Sequence, residues 1–155
     1  GVAKADDLLF VTDFEIVKQR VSSISVSFDD TSVADFFDAQ AKKGYNPRQF
    51  AGIWIHTHPG GSPSPSSTDE QTFKRVFGGC DWSVMVIVAQ NSSSYGRIRF
   101  SAGPGGEFLI PVEVGYGSDF SSPDFKAWKK QYSKNVEFEE GLFTSFRDLK
   151  AANYG

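Results

Sequence analysis

The chain has 155 residues, 39% of them apolar, with a formal net charge of −3 and a mean hydropathy of −0.31. That length suits one domain with a real core, and scattered charge without a basic cluster excludes a phosphate-binding surface, so no nucleic-acid partner is expected. The single cysteine, Cys80, excludes an intrachain disulfide and favours a reducing, cytoplasmic setting; no apolar run nears the ~20 residues that span a bilayer, so no membrane partner is expected either.

Leu8-Leu9-Phe10-Val11 reads as a short strand. Ile24, Val26 and Phe28 alternate with Ser23, Ser25 and Ser27, the period of a half-buried strand. Asp29 to Ser32 offer helix N-cap residues, and Val33, Phe36, Phe37 and Ala41 follow at helical spacing until Gly44 ends the stripe. Phe50 to His56 is the next strand, running into a Pro-, Gly- and Ser-rich loop from His58 to Ser67. Ser67 with Glu70, or Thr68 with Gln71, predicts a capping box for a helix through Phe73 and Val76-Phe77, which Gly78-Gly79 stop. Trp82 to Ala89 is continuously apolar, as in a central strand. Asn91 to Ser94 form a turn, and Tyr95–Ser101 and Phe108–Val114 read as two further strands around a Gly103-Pro104-Gly105-Gly106 turn. Arg97 and Arg99 alternate with Ile98 and Phe100, which predicts that both arginines face solvent or a partner.

From Gly115 the character changes. Residues 117–155 read as a linker and a helical C-terminal tail, with helices at Phe125–Tyr132 and Leu142–Leu149, beyond a main domain of residues 1–116. Lys126, Lys129, Lys130 and Lys134 read as a solvated helix face. The aromatic content of the tail (Phe125, Trp128, Tyr132, Phe143, Phe146) suits docking on the domain or a partner. The expected fold is α/β (α+β), a mixed curved sheet flanked by helices.

The only histidines of the chain are His56 and His58. Residues two apart in a strand point to the same side, so both imidazoles can converge on one metal. Zinc takes nitrogen, sulfur and carboxylate ligands in a tetrahedron, and a catalytic site uses three from the protein. Asp69, near the start of the next helix, is the candidate third ligand. Pro59 removes a ladder donor, so the strand ends near His58. Each histidine alone also reads as a structural residue, and Ser66 to Asp69 alone as helix caps. Trp54 reads as a core anchor, or as a brace on the strand face that carries His56. Cys80 reads as an ordinary half-buried thiol.

Ile55-His56-Thr57-His58-Pro59-Gly60 followed by Pro65-Ser66-Ser67-Thr68-Asp69 resembles the JAMM motif of JAB/MPN-domain zinc metallopeptidases: His-x-His-Pro, a spacer, then Ser-x-x-Asp. Ten residues separate His58 from Asp69, as in that family, and the resemblance runs over roughly residues 7 to 114. It is greatest to prokaryotic members linked to ubiquitin-like conjugation systems, some of them in antiviral defence. The resemblance implies a JAMM/MPN-like fold and Zn2+ held by His56, His58 and Asp69. It implies Ser66 as the catalytic hydroxyl that stabilises the oxyanion, and a ubiquitin-like protein or its conjugate as substrate. The implied activity is cleavage of peptide or isopeptide bonds by a zinc-activated water. The family also places a general-base glutamate on an early strand, in a Glu-x-x-Gly-like stretch that this sequence does not show. Gly1-Val2-Ala3 resembles the end of that stretch, which would put the glutamate just upstream of residue 1. Glu15 is the only glutamate before His56 and reads as a surface carboxylate; Glu70 reads as a capping partner of Ser67. The alternatives are a non-catalytic MPN-type scaffold and a hydrolase of small amides.

Overall fold

The computed structural model describes residues 1–22, 26–117 and 122–138. Strand β1 (Val2–Ala3) pairs antiparallel with β2 (Val11–Asp13). The strand expected at Leu8–Val11 therefore starts only at Val11, and Leu8-Leu9 form the turn between β1 and β2. Strand β3 (Gln19–Val21) pairs antiparallel with β4 (Val26–Phe28), the described part of the Ser-alternating segment; residues 23–25 lie outside the described residues.

Helix α1 (Asp30–Lys42) starts where the Asp29 side chain accepts the Ser32 N–H at 2.8 Å. It ends before Gly44, whose φ of +85° suits a residue without Cβ. The strand expected from Phe50 begins later. Asn46 and Gln49 form a reciprocal capping box with Pro47 in the first turn, and this nucleates a short helix, α2 (Pro47–Phe50). Strand β5 then runs Ile53–His58.

Four strands form the main sheet in the order β5-β6-β7-β8. Here β6 is Trp82–Ala89, β7 is Ser94–Phe100 and β8 is Gly106–Leu109. The β5 strand is parallel to β6, with His56 opposite Ile87 and His58 opposite Ala89; the other two pairings are antiparallel. The crossover between β5 and β6 is helix α3 (Ser67–Phe77), so the sheet is mixed and helix-flanked as the sequence predicts. Ser92 (φ 67°) turns β6 into β7, and Gly103 and Gly105, both at positive φ, turn β7 into β8. The last strand ends at Leu109, short of the expected Val114. There Ile110 folds over Gly96 and donates to its carbonyl at 2.9 Å, where a Cβ on Gly96 would lie 2.7 Å from the Ile110 oxygen.

Beyond the linker, α4 (Phe125–Asn135) leads into β9 (Val136–Phe138), which pairs parallel with β3. The second tail helix expected at 142–149, with Phe143 and Phe146, lies outside the described residues.

Two apolar clusters hold the fold. Trp54, Phe73, Phe77, Met85 and Ile87 fill the space between α3 and the main sheet, with Phe28, Val76 and Tyr95 against them. Val2, Phe36 and Phe50 join α1 and α2 to β1. Phe73 is 1% exposed, so truncation to alanine would cost about 3–5 kcal/mol. Arg97 and Arg99 correct the sequence expectation. They lie on the α3 side of β7, with their guanidinium carbons 5.5 and 4.9 Å from the Phe73 ring centroid. Their apolar stems extend the core while their heads find partners at its rim: Glu70 and Glu107 for Arg97, and the Phe77 carbonyl for Arg99.

Candidate metal centre

Strand β5 alternates, so Trp54, His56 and His58 share the face that α3 covers. Trp54 is buried and stacks on the His56 ring, with centroids 4.1 Å apart and planes inclined by 21°. Phe73 and Phe77 stack in turn on Trp54 at 6.3 and 6.0 Å. The helix that supplies these rings also supplies the third member of the site. Its N-cap is Ser66, whose Oγ accepts the Asp69 N–H at 3.2 Å, while Asp69 Oδ2 accepts the Ser66 N–H at 2.7 Å. The capping box is thus Ser66/Asp69, one or two residues before the frames expected at Ser67/Glu70 and Thr68/Gln71. Glu70 is drawn off by Arg97, which donates to it twice, at 2.9 and 2.6 Å.

The box turns the Asp69 carboxylate toward the strand. Oδ1 lies 3.2 Å from His56 Nε2, and Oδ2 lies 3.2 Å from His58 Nε2. One ligand atom from each of the three residues falls within 4.8 Å of the others. Ligands about 2.0–2.2 Å from a tetrahedral zinc stand roughly 3.3 Å apart, and each histidine nitrogen lies that far from one of the two Asp69 oxygens.

Protonation suits ligation. Burial lowers the His56 pKa to about 4, against the opposing pull of Asp69 and with help from His58, so this ring is neutral at pH 7. Its 3.2 Å contact with Asp69 is therefore not an ion pair at that pH, nor is it a hydrogen bond: both His56 ring nitrogens are buried without a hydrogen-bond partner among the described residues. A buried polar atom left this way costs about 1–3 kcal/mol, and a cation between nitrogen and carboxylate would relieve the cost at Nε2. Burial pushes the Asp69 carboxyl up, but the Ser66 backbone and side chain and the two histidines outweigh it and hold it below the usual carboxylate range. Neutral imidazole and ionised carboxylate are the forms a divalent metal takes. His58 has acceptors at both ends: the Ser62 carbonyl 3.1 Å from Nδ1 and Asp69 Oδ2 beyond Nε2. An Nδ1–H donated to Ser62 leaves the Nε2 lone pair facing a carboxylate, an arrangement a shared cation satisfies. On these observations the residues fit a zinc ion.

Ser66 borders the site, and with its oxygen accepting from Asp69 N–H, its hydroxyl proton stays available to donate. Neither glutamate considered from sequence belongs to the three-residue cluster: Glu15 accepts from Gln40 at 3.3 Å, and Glu70 from Arg97. Cys80 is half-buried, its thiol pushed up by burial, with Sγ 3.7 Å from the Ala51 carbonyl. Sequence reasoning missed the Ser62 carbonyl, since a backbone acceptor in an irregular loop leaves no residue-type signal.

A family model described as prokaryotic homologs of the JAB domain matches residues 14–101, more than half of the chain and all of the metal centre. Comparisons with curated proteins and with solved structures return no match. The His-x-His strand end, the capped aspartate facing it and this family match agree: the chain belongs to the prokaryotic JAB-domain family.

Proposed function

We propose that this chain is a zinc-dependent peptidase or isopeptidase that removes or processes a ubiquitin-like modifier. The observation that carries the reading is the convergence of His56, His58 and Asp69 on one point, with His56 held neutral and Asp69 held ionised at pH 7. When bound, zinc supplies an activated water and Lewis acidity toward a carbonyl. His56 and Asp69 hold their ligand atoms in place through the Trp54 stack and the Ser66 box. The Ser66 hydroxyl, whose oxygen accepts the Asp69 N–H, would donate to the developing oxyanion and contribute about 2–4 kcal/mol to the transition state. The Pro- and Gly-rich loop 59–65 leaves His58 partly open, so an extended modifier tail can approach beside β5. No described helix is long and apolar enough to cross a membrane.

A second reading is a metal-binding JAB scaffold without turnover, favoured by the engagement of Glu15 and Glu70 elsewhere. The test is zinc content per chain, together with cleavage of a fusion joined through a ubiquitin-like C-terminal tail. About one zinc and cleavage that EDTA and His58→Ala abolish support the peptidase. One zinc without cleavage of any fusion or small amide favours the scaffold, and no zinc uptake removes both readings.

A further inference from the structure

We infer that the β6–β7 turn, through the Asn91 amide, positions the metal ligand His58; this rests on the metal-site reading above. His58 is the more exposed of the two imidazoles, with 21% of its side chain open against 8% for His56. It lies at the end of β5, outside the aromatic stack that holds His56. What orients it on the side away from Asp69 is the Ser62 carbonyl, 3.1 Å from Nδ1. That carbonyl decides which ring nitrogen carries the proton and which is offered to a metal. Ser62 belongs to a loop without helix or strand, so its position has to be fixed by something else.

The β6–β7 turn supplies two close anchors to the residues just before it, and a longer third one from the Ser93 hydroxyl to the Gly61 carbonyl at 3.4 Å. The Gln90 N–H donates to the Gly60 carbonyl at 3.0 Å, and Asn91 Nδ2 donates to the Gly61 carbonyl at 3.1 Å. The first extends the β5–β6 pairing past Pro59. The second reaches the residue adjacent to Ser62. The two ends of the Asn91 amide have separate tasks. Its Oδ1 accepts the Ser93 N–H at 3.0 Å and the Ser93 hydroxyl at 2.6 Å, which closes the turn; its Nδ2 faces the loop. A residue 33 positions from His58 therefore sets the carbonyl that orients it.

That division of labour gives a nearly isosteric test. Asn91→Asp keeps the acceptor toward Ser93 and replaces the loop-facing donor with an acceptor that repels the Gly61 carbonyl. Zinc affinity is measured by chelator competition, and the visible absorption of the cobalt-substituted protein is recorded. Asn91→Asp is expected to weaken zinc by about tenfold, the low end for outer partners of a metal-bound histidine, and to alter the cobalt spectrum. In a His58→Ala background the same substitution is expected to cost nothing further, since the two act along one path. Parental affinity and spectrum in Asn91→Asp, or an undiminished loss in the His58→Ala background, overturns the positioning role. A parent chain that takes up no zinc overturns the metal-site reading itself.

Discussion

Replacing Asp69 by asparagine separates two tasks that one side chain performs. Its Oδ2 caps α3 by accepting the Ser66 N–H, and its two oxygens face the two histidines. The amide retains one oxygen for the Ser66 N–H but loses the charge and puts a donor where a ligand atom stood. Capping should survive almost intact, because Ser66 remains the N-cap and the amide oxygen at N3 can still accept the Ser66 N–H. Metal binding should not. Zinc at a hundred times its Kd stabilises a folded chain by about 2.7 kcal/mol. For a chain of this length each kcal/mol moves Tm by about 2–4 °C, so the parent should gain about 5–11 °C. The assay is thermal unfolding followed by circular dichroism, with and without zinc. Asp69→Asn is expected to match the parent's metal-free Tm within about 2 °C and to gain under about 2 °C from zinc. Asp69→Ala should also lose the zinc response, and with the Ser66 N–H deprived of its acceptor should fall by a further ~0.5–1.5 kcal/mol without metal. A zinc shift in Asp69→Asn equal to the parent's would refute the assignment of this carboxylate as a ligand.

Ser66→Ala should cost about 1 kcal/mol in urea unfolding, keep zinc, and lower cleavage of a modifier fusion by about 10²–10³-fold; unchanged cleavage would reduce Ser66 to a cap. The metal-free protein should lose stability as pH falls from about 6.5 through about 4. His56 titrates near 4 when folded and at its ordinary value when unfolded, so the unfolded chain binds its proton first. The full effect is at most about 3 kcal/mol, and denaturant titrations from pH 7 to 4.5 should show it in the parent but not in His56→Gln. That window lies above the range where Asp69, held low, would add a loss of the same sign. Arg97→Met should cost about 1–2 kcal/mol in urea unfolding, less than the 3–5 of a fully buried pair, because Glu70 and Glu107 are half exposed and can rehydrate. A loss above about 4 kcal/mol would show the pair to be more deeply desolvated than its exposure implies.

The candidate metal centre was legible because its strongest signals are local. The His-x-His alternation needs only a strand, and β5 provides it; the continuous apolar run of β6 and the stripe of α1 are likewise properties of single segments. Capping was legible in kind but not in register. Three frames overlap at 66–69, 67–70 and 68–71, and no local rule chooses among them. The choice is made by partners far along the chain, with the histidines facing Asp69 and Arg97 claiming Glu70. Alternation along β7 placed Arg97 and Arg99 on one face, yet the side that α3 covers was not written in that strand. Helix α2 escaped because four residues carry no periodicity, and its capping box of Asn46 and Gln49 is a weaker signal than the apolar residues that follow. Strands of two or three residues, such as β1, β3 and β9, are too short to show a pattern, and their pairing is a long-range property.

The pairing of β9 with β3 has a consequence for how the chain reaches its fold. Gln19 meets Val136 and Val21 meets Phe138, and the Asn135 amide donates to the Ile16 carbonyl at 2.8 Å. Closing a loop of that span carries an entropy cost that neighbouring contacts recover only after both ends have met, so this ladder belongs to the slow, late steps of assembly. During synthesis β3 waits with one flank bare until residue 138 has left the ribosome, and a bare strand flank invites pairing between nascent chains. Lys18 and Arg20, both within 4 Å of Glu137 in the finished fold, put positive charge beside that waiting flank, the kind of charge that disfavours edge-to-edge pairing of identical copies.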